Sequence, residues 1–288
     1  MSLPGYPYAA PPVGPPPRRK RRWWLVGIVV AWALVLALLA VWSVRNDAPT
    51  VPEQRDIAEA LPVLERATGA MLAAAEGPGR AVVLGELRLA HGCRITPVRH
   101  GVEATRDVTV YVQADQARRA LDAIAGGLPP GYKARVAQAR GGSRVGLHAD
   151  AGSYVAIDAD TLADAQVLTL EASTGCRPTA ATTLDSADPR AGNPPPAFAD
   201  VLRALGAAED RSPAVRAVAC PGGGAAGTYT VDGVPRTKDL GRSLEPVTGG
   251  ATVVRADPDG WAYRTGNDSV VVVADGPRLR VSATTACA

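Results

Sequence analysis

A run of 22 residues without a charged side chain, Trp23–Val44, constrains this chain more than any other feature. At a rise of about 1.5 Å per residue, a helix of that length spans roughly 33 Å, enough to cross a hydrocarbon core about 30 Å thick. Trp23 and Trp24 lie at one end of the run and Trp42 at the other. Indole rings favour the membrane–water interface. We therefore predict a transmembrane helix over residues 23–44, in contact with the lipid bilayer.

The charges around this run predict its orientation. Basic residues remain preferentially on the cytoplasmic side of a membrane-spanning helix. Five of them come directly before the run: Arg18, Arg19, Lys20, Arg21 and Arg22. We expect a single-pass protein of the cell membrane with a cytoplasmic N-terminus and an extracytoplasmic C-terminus.

The alternative to a signal-anchor is a cleaved signal peptide. A signal peptide has an apolar region of about 7–15 residues that ends at a site of small residues. The run here is longer, and the sequence after it, Ser43–Asp47, is a poor cleavage site. The pattern favours a retained anchor, and a secreted protein remains the alternative.

The net charge of +3 is the sum of two unlike regions. Residues 1–46 hold six of the 31 basic residues and no acidic one, so residues 47–288 carry 25 bases against 28 acids, a net charge of −3. A nucleic-acid-binding domain needs a basic face of its own. The sequence therefore predicts no nucleic-acid partner.

The first 17 residues contain seven prolines and have no apolar pattern that could form a core. We expect residues 1–22 to form a disordered, basic cytoplasmic tail. PxxP spacings join Pro4 to Pro7 and Pro12 to Pro15, which is typical of segments that dock into aromatic grooves. A cytoplasmic partner of this tail is one interpretation, and a solvated spacer is the other.

Four cysteines follow the apolar run, and an even number outside the cytosol predicts two disulfides. Internal similarity chooses between the three possible pairings. Each half of the chain begins with a helical pattern that opens near a proline, Pro62 or Pro196. A β-rich segment that ends at a cysteine follows the helix. A hairpin and a last strand that ends at a second cysteine come later in each half. We predict the pairs Cys93–Cys176 and Cys220–Cys287.

The predicted fold class is α+β, with one N-terminal transmembrane helix followed by two tandem, repeat-related, disulfide-closed α+β modules. Between the first module's strands, Asp115 is expected to cap a helix that stops at Gly126-Gly127. The expected segments are a tail (1–22), the membrane helix (23–44), a juxtamembrane linker (45–55), module 1 (56–178), a Pro-rich linker (179–196) and module 2 (197–288).

No motif assembles a catalytic, cofactor or metal site. Gly222–Gly227 matches a dinucleotide-binding spacing, but β-forming residues follow it where a helix is needed, so we interpret it as a loop. The three histidines, His91, His100 and His148, lack metal-ligand spacing. Asp257–Gly260 has only part of a calcium loop and is typical of a turn.

These features favour a non-catalytic binding, scaffolding or sensing role at the cell envelope, with no cofactor. The partner would be another envelope protein or a cell-wall component. An envelope enzyme with a site between the two modules is the alternative. The strong preference for arginine over lysine, together with the high content of alanine and glycine, is typical of a high-GC Gram-positive bacterium. The overall plan resembles that of many uncharacterised single-pass envelope proteins of such bacteria.

Overall fold

A computed structural model describes residues 23–46, 55–139, 141–180, 183–207 and 211–287. The chain divides into two compact units, residues 1–48 and residues 49–288. The predicted docking prolines Pro4, Pro7, Pro12 and Pro15 and the basic cluster Arg18–Arg22 lie outside the described residues.

The described part of the first unit is one helix, α1, which runs from Trp23 to Asn46. Leucine, alanine and valine dominate it, and no proline interrupts its hydrogen bonds. It continues two residues beyond the predicted end at Val44. Residues Trp23–Trp42 have a mean hydropathy of 2.8, and none of the span is buried within the protein. Length and composition are therefore those of a membrane-crossing helix.

The second unit is α+β. Its described helices are α2 (Ile57–Ala75), α3 (Ala117–Gly127), α4 (Pro196–Ala204) and α5 (Leu240–Thr248), with a short 3₁₀ turn at Pro130–Tyr132. The first group of strands is β1 (Arg80–Leu84), β2 (Arg88–Thr96), β3 (Arg99–Val112), β4 (Arg135–Gln138), β5 (Arg144–Asp150), β6 (Ala156–Leu162) and β7 (Val167–Arg177). The second group is β8 (Ala214–Ala219), β9 (Ala225–Pro235), β10 (Thr252–Asp257), β11 (Gly260–Thr265), β12 (Asp268–Asp275) and β13 (Arg278–Thr284).

Each group of strands forms one antiparallel sheet, and the two sheets follow the same path. The order is β1-β3-β7-β6-β5-β4 in the first sheet and β8-β9-β13-β12-β11-β10 in the second. In both sheets, the last strand of the group (β7 or β13) pairs with the long strand near the start of the group (β3 or β9). Strands β6, β5 and β4, or β12, β11 and β10, then follow in antiparallel order from that last strand. The first sheet has one addition, because β2 pairs with the N-terminal part of β3.

Two helix starts differ from the sequence expectation. Helix α2 begins at Ile57, five residues before Pro62, because the Asp56 side chain accepts a hydrogen bond from the Ala58 amide and caps the helix there. Asp115 is not the cap of α3: its φ of 60° is left-handed, and Gln116 occupies the cap position. The predicted stop of α3 at Gly126-Gly127 is confirmed.

Helix α4 begins at Pro196 as predicted. It ends at Ala204, because Gly206 adopts a left-handed φ of 65° that turns the chain out of the helix. Helices α2 and α3 cover one face of the first sheet, and α4 and α5 cover one face of the second. Amphipathic patterning therefore gives each sheet its own core.

The two sheets also bury apolar surface against each other. Val218, Cys220 and Ala226 of the second group belong to the core under the first sheet, where strand β8 meets helix α2. A third cluster joins the sheets directly through five buried residues, Ala81, Tyr111, Val254, Ala262 and Val271. Residues 49–288 therefore form one compact body rather than two separately packed pieces.

The Pro-rich segment between the two groups of strands is held against this body. The Asp188 carboxylate accepts hydrogen bonds from the Arg106 guanidinium at 2.9 Å and from the Ala217 amide at 2.7 Å. The Tyr229 hydroxyl donates to the carbonyl oxygen of Gly192 at 2.6 Å. These contacts attach the described part of the segment to both sheets.

Candidate functional site

A cleft of about 740 Å³ opens beside the second sheet, between helices α4 and α5 and the β11–β12 hairpin. That volume is within the usual range for small-ligand sites. Its walls combine apolar and polar groups: Pro196, Ala197, Asp200, Arg203, Ala204, Ser243, Pro246, Val247, Tyr263, Thr265, Gly266 and Asp268. The cleft exists because α4 and α5 leave the end of the hairpin uncovered.

Tyr263 on β11 is the polar group at the base of the cleft. The residue is 1% exposed, and its hydroxyl group, itself shielded from solvent, has no hydrogen-bond partner among the described residues. Burial raises the pKa of Tyr263 well above its usual value, and the nearby Asp200 carboxylate raises it further. The hydroxyl is therefore a neutral donor at any physiological pH. A buried hydroxyl without a partner is destabilising, and because this one is shielded from solvent, a ligand acceptor would reach it only after the side chains that cover it move.

Two carboxylates and one guanidinium are the charged groups that line the cleft. Asp200 on α4 pairs with Arg203 at 2.9 Å on the same helix. Asp268 begins β12, and burial raises the pKa of its carboxyl, against the lowering effects of nearby Arg264 and of a hydrogen bond from the Ala286 amide. Carboxylates beside a neutral hydroxyl suit a ligand that carries a donor or ammonium group together with an acceptor oxygen.

The cysteines form the two pairs that the internal similarity predicts, Cys93–Cys176 and Cys220–Cys287. Cys93 is on β2 and Cys176 on β7, which pair with the N-terminal part of β3 from its two sides. Cys220 follows β8 and Cys287 follows β13, the two neighbours of β9. Each disulfide therefore links the strands on either side of the long strand, near that strand's beginning. The cysteines have structural roles and lie outside the cleft.

The histidines occupy two exposed places. His148 on β5 is paired with Asp158 on β6, with 2.7 Å between His148 Nδ1 and Asp158 Oδ1, and both side chains face solvent. The strand register brings Asp158 directly opposite His148. His91 and His100 lie on the β2–β3 hairpin. Across the described residues, no three His, Cys, Asp or Glu side chains are grouped as metal ligands.

Two motifs have the local structure expected of turns. Gly222–Gly224 lie in the tight turn between β8 and β9, where Gly223 and Gly224 have positive φ, and strand β9 follows directly. A helix N-terminus that could receive a pyrophosphate is not formed there. Asp257–Gly260 make the turn from β10 to β11, and the Asp257 carboxylate accepts from the Asp259 amide.

The tryptophans predicted to mark the membrane interfaces lie at both ends of the apolar part of α1. Trp23, Trp24 and Trp42 are 65%, 64% and 62% exposed. The sequence did not single out the cleft or Tyr263. An alternating Tyr in a strand is typical of a core position, and only the packing of α4 and α5 makes it the base of a cleft.

Comparison with known proteins adds little. No protein-family model matches the chain, and no curated protein matches it. Among solved structures, the chain is similar to a DUF4853 family protein from Actinomyces odontolyticus, with 14% sequence identity and a TM-score of 0.34. The match covers 62% of this chain and 93% of that protein. The likeness is distant in both sequence and backbone.

Proposed function

We propose that this chain is a single-pass membrane protein of the cell envelope, with its N-terminus in the cytoplasm and residues 49–288 outside. The observation that carries this proposal is the exposed apolar helix Trp23–Trp42. An apolar helix with so much exposed surface needs an apolar surrounding. The five basic residues before it support the orientation, and the two disulfides suit an oxidising compartment.

Reporter fusions to the full chain test the orientation. Alkaline phosphatase becomes active only outside the cytoplasm. Green fluorescent protein becomes fluorescent only when it remains in the cytoplasm, because export through the general secretory route prevents its folding. We expect an active phosphatase and a dark fluorescent protein when each is fused after residue 288. Replacing Arg18, Arg19, Lys20, Arg21 and Arg22 by glutamate weakens the orientation signal, so phosphatase activity should fall. A fluorescent C-terminal fusion of the unaltered chain would contradict the proposal.

The extracytoplasmic unit has a non-catalytic binding role, with the cleft beside α4 and α5 as its site. The Tyr263 hydroxyl supports this role: it is shielded from solvent beneath the cleft and has no partner among the described residues, so a ligand oxygen that displaces the side chains above it would gain a donor. Asp200 and Asp268 offer acceptors to a ligand amine. A small polyhydroxylated amine, such as an amino sugar of a cell-wall component, has both features.

A pair of probes tests this assignment. Glucosamine carries an amine and glucose does not, so the carboxylates should favour glucosamine. We expect a concentration-dependent rise in the melting temperature of the full chain in detergent micelles with glucosamine, and a smaller rise with glucose. The Tyr263→Phe variant should show a weaker response to glucosamine. Equal responses to the two sugars, or none, would overturn the assignment of the cleft.

The two groups of strands are copies of one ancestral module. The identical strand order, the disulfide across the neighbours of the long strand and the helix pairs α2/α4 and α3/α5 support this. On this view β2 is an addition to the first copy. An experimental structure in which the second sheet has a different strand order would contradict a common origin.

A further inference from the structure

The end of the first sheet where β7 stops brings three exposed segments together. The hairpin of β2 and β3 extends beyond β7, because Arg177, the last residue of β7, pairs with Val102. The start of α2 lies at the same end, where the Ile57 amide donates to the carbonyl oxygen of Pro178 at 2.9 Å. The β5–β6 turn lies at this end as well. The buried Arg177 guanidinium holds it there by donating to the carbonyl oxygen of Ser153 at 2.6 Å.

We call this region the basic end: residues 94–100 of the hairpin tip, residues 151–155 of the β5–β6 turn and residues 55–57 before and at the start of α2. Residues 94–100 contain Arg94, Arg99 and His100 and no acidic residue, whereas Arg88, further along the hairpin, pairs with Asp107 and Glu171. Arg94 and His100 are direct cross-strand partners, so their side chains share one face of the hairpin. Neither Arg94 nor Arg99 forms an ion pair with a described residue.

Apolar side chains stand among these bases. Val98 at the hairpin tip is 86% exposed, and Tyr154 in the β5–β6 turn is 59% exposed. Ser153 and Tyr154 both have left-handed backbone conformations, with φ of 52° and 57°, which are unfavourable for residues with side chains. Arg177 holds this turn in place by donating to the carbonyl oxygens of both residues.

The acidic groups nearby accept hydrogen bonds within the protein and keep their charge; Glu103, opposite Cys176 at the end of β7, accepts from the Ser173 hydroxyl. Asp56 accepts from the amides of Ala58 and Ala180, and Asp150 accepts from the Gly152 amide. Because residues 47–288 carry a net charge of −3, an exposed basic tip is opposite in sign to the rest of the extracytoplasmic sequence. The basic end therefore suits an anionic partner.

We propose that the basic end contacts the anionic outer surface of the lipid bilayer that holds the anchor, with Arg94 and Arg99 at the headgroups and Val98 and Tyr154 at the interface. The chain enters the extracytoplasmic unit at this end, beside Pro178. Nine residues lie between Asn46 and Asp56, and an extended chain over those ten peptide steps spans at most about 35 Å. Basic side chains gain affinity for anionic lipid, and aromatic and apolar side chains favour the headgroup boundary.

This inference rests on the proposed membrane anchoring. Photo-crosslinking tests the anchoring and the lipid contact of the basic end separately. A benzophenone side chain is placed at one position at a time in the full-length protein, which is reconstituted into nanodiscs. Position 36 reports on the anchor and position 98 on the basic end. Position 162 is the matched control, because Leu162 is an exposed apolar residue at the opposite end of the same sheet. Nanodiscs of phosphatidylcholine alone are compared with nanodiscs containing 30 mol% phosphatidylglycerol.

We expect lipid adducts at position 36 in both nanodiscs and at position 98 mainly in those with phosphatidylglycerol. Each arginine near an anionic surface contributes roughly fivefold in occupancy, so the Arg94→Glu/Arg99→Glu variant should lose about tenfold or more of the position 98 adduct. The control variant Lys238→Glu/Arg278→Glu changes two exposed basic residues in the region of the second group of strands and should leave the position 98 adduct unchanged. Raising NaCl to 0.5 M should weaken it through screening.

Adducts at position 36 together with no excess at position 98 over position 162 would overturn the inference while leaving the anchor intact. Equal adducts at position 98 in the two nanodiscs would overturn the role of charge. Absence of adducts at position 36 would overturn the anchoring and the inference with it. If soluble polyphosphate bound to the hairpin while phosphatidylglycerol gave no adduct, the basic end would belong to an anionic polymer instead of lipid.

Discussion

The fully buried guanidinium of Arg106 lies 2.9 Å from the carboxylate of Asp188, and this ion pair joins strand β3 to the segment that leads into the second sheet. The same guanidinium lies 3.2 Å from Glu65 on α2 and donates to the carbonyl oxygens of Gly85 and Ala217. One side chain therefore contacts helix α2, the residue after β1, strand β8 and the connecting segment. It is the polar centre of the contact between the two groups of strands.

The Arg106→Leu variant should lose about 3–5 kcal/mol in the free energy of unfolding, because it leaves the partly buried carboxylates of Glu65 and Asp188 without their cation. Arg144→Leu is the control, since Arg144 and its partner Asp160 are both exposed, and its loss should be much smaller than that of Arg106→Leu. Chemical denaturation followed by circular dichroism measures both. Similar losses for the two variants would show that the buried ion pair has no special role.

Gly69 permits helix α2 to approach strand β8. A Cβ atom at this position would overlap the carbonyl oxygen of Ala219, which belongs to the backbone of β8. Gly69→Ala should therefore destabilise the protein by about 1–3 kcal/mol, despite alanine's better helix propensity. Gly126→Ala in α3 is the matched control, because its Cβ would have open space. It should be neutral or stabilise by up to about 1 kcal/mol. A neutral Gly69→Ala would contradict the close contact.

Glu76 makes stability depend on pH. Burial raises the pKa of its carboxyl from 4.5 to about 7, although the hydrogen bond from the Cys287 amide and the nearby Arg264 act in the opposite direction. Because the folded-state pKa is the higher one, the stabilisation is complete below pH 4.5 and is lost as the pH rises towards 7.

The Glu76→Gln variant removes this titration while its amide oxygen still accepts from Cys287. Its unfolding free energy minus that of the unaltered chain should therefore increase between about pH 5 and pH 7 and then level off, by roughly 1–3 kcal/mol in all. Denaturation curves at half-unit pH intervals give this difference. A difference that stays constant from pH 5 to pH 8 would contradict the raised pKa.

Tyr263→Phe should separate stability from binding. In the absence of ligand, the variant loses a buried hydroxyl that has no partner, so its stability should be unchanged or higher by up to about 1 kcal/mol. In the presence of glucosamine, the unaltered chain should gain more thermal stability than the variant. Loss of stability without ligand would show that the hydroxyl has a partner within the protein, and the cleft would then lack its distinguishing feature.

The predictable parts of this fold are those whose signals are local. The length and lack of charge of Trp23–Val44 predict helix α1, and the alternating residues on either side of short turns predict the β5–β6 and β11–β12 hairpins. The matching of the two halves predicts both cysteine pairs. The start of α2 was wrong because the proline signal at position 62 was preferred to the Asp56 cap.

The remaining features depend on contacts between distant segments. Nothing near Arg106 in the sequence shows that Glu65 and Asp188 meet its guanidinium. The cleft requires α4, α5 and β11 to come together, so Tyr263 has the same alternating pattern as an ordinary core residue. The basic end is similar, since strand pairing alone brings the hairpin tip to the start of α2.

The mass of the mature chain in its own membrane tests the central claim most directly. Intact mass spectrometry of protein extracted from washed membranes should give the full chain, including residues 23–42, and the protein should remain in the membrane pellet after alkaline carbonate extraction. A mature chain that begins near residue 45 and is recovered from the culture medium would contradict the membrane anchor.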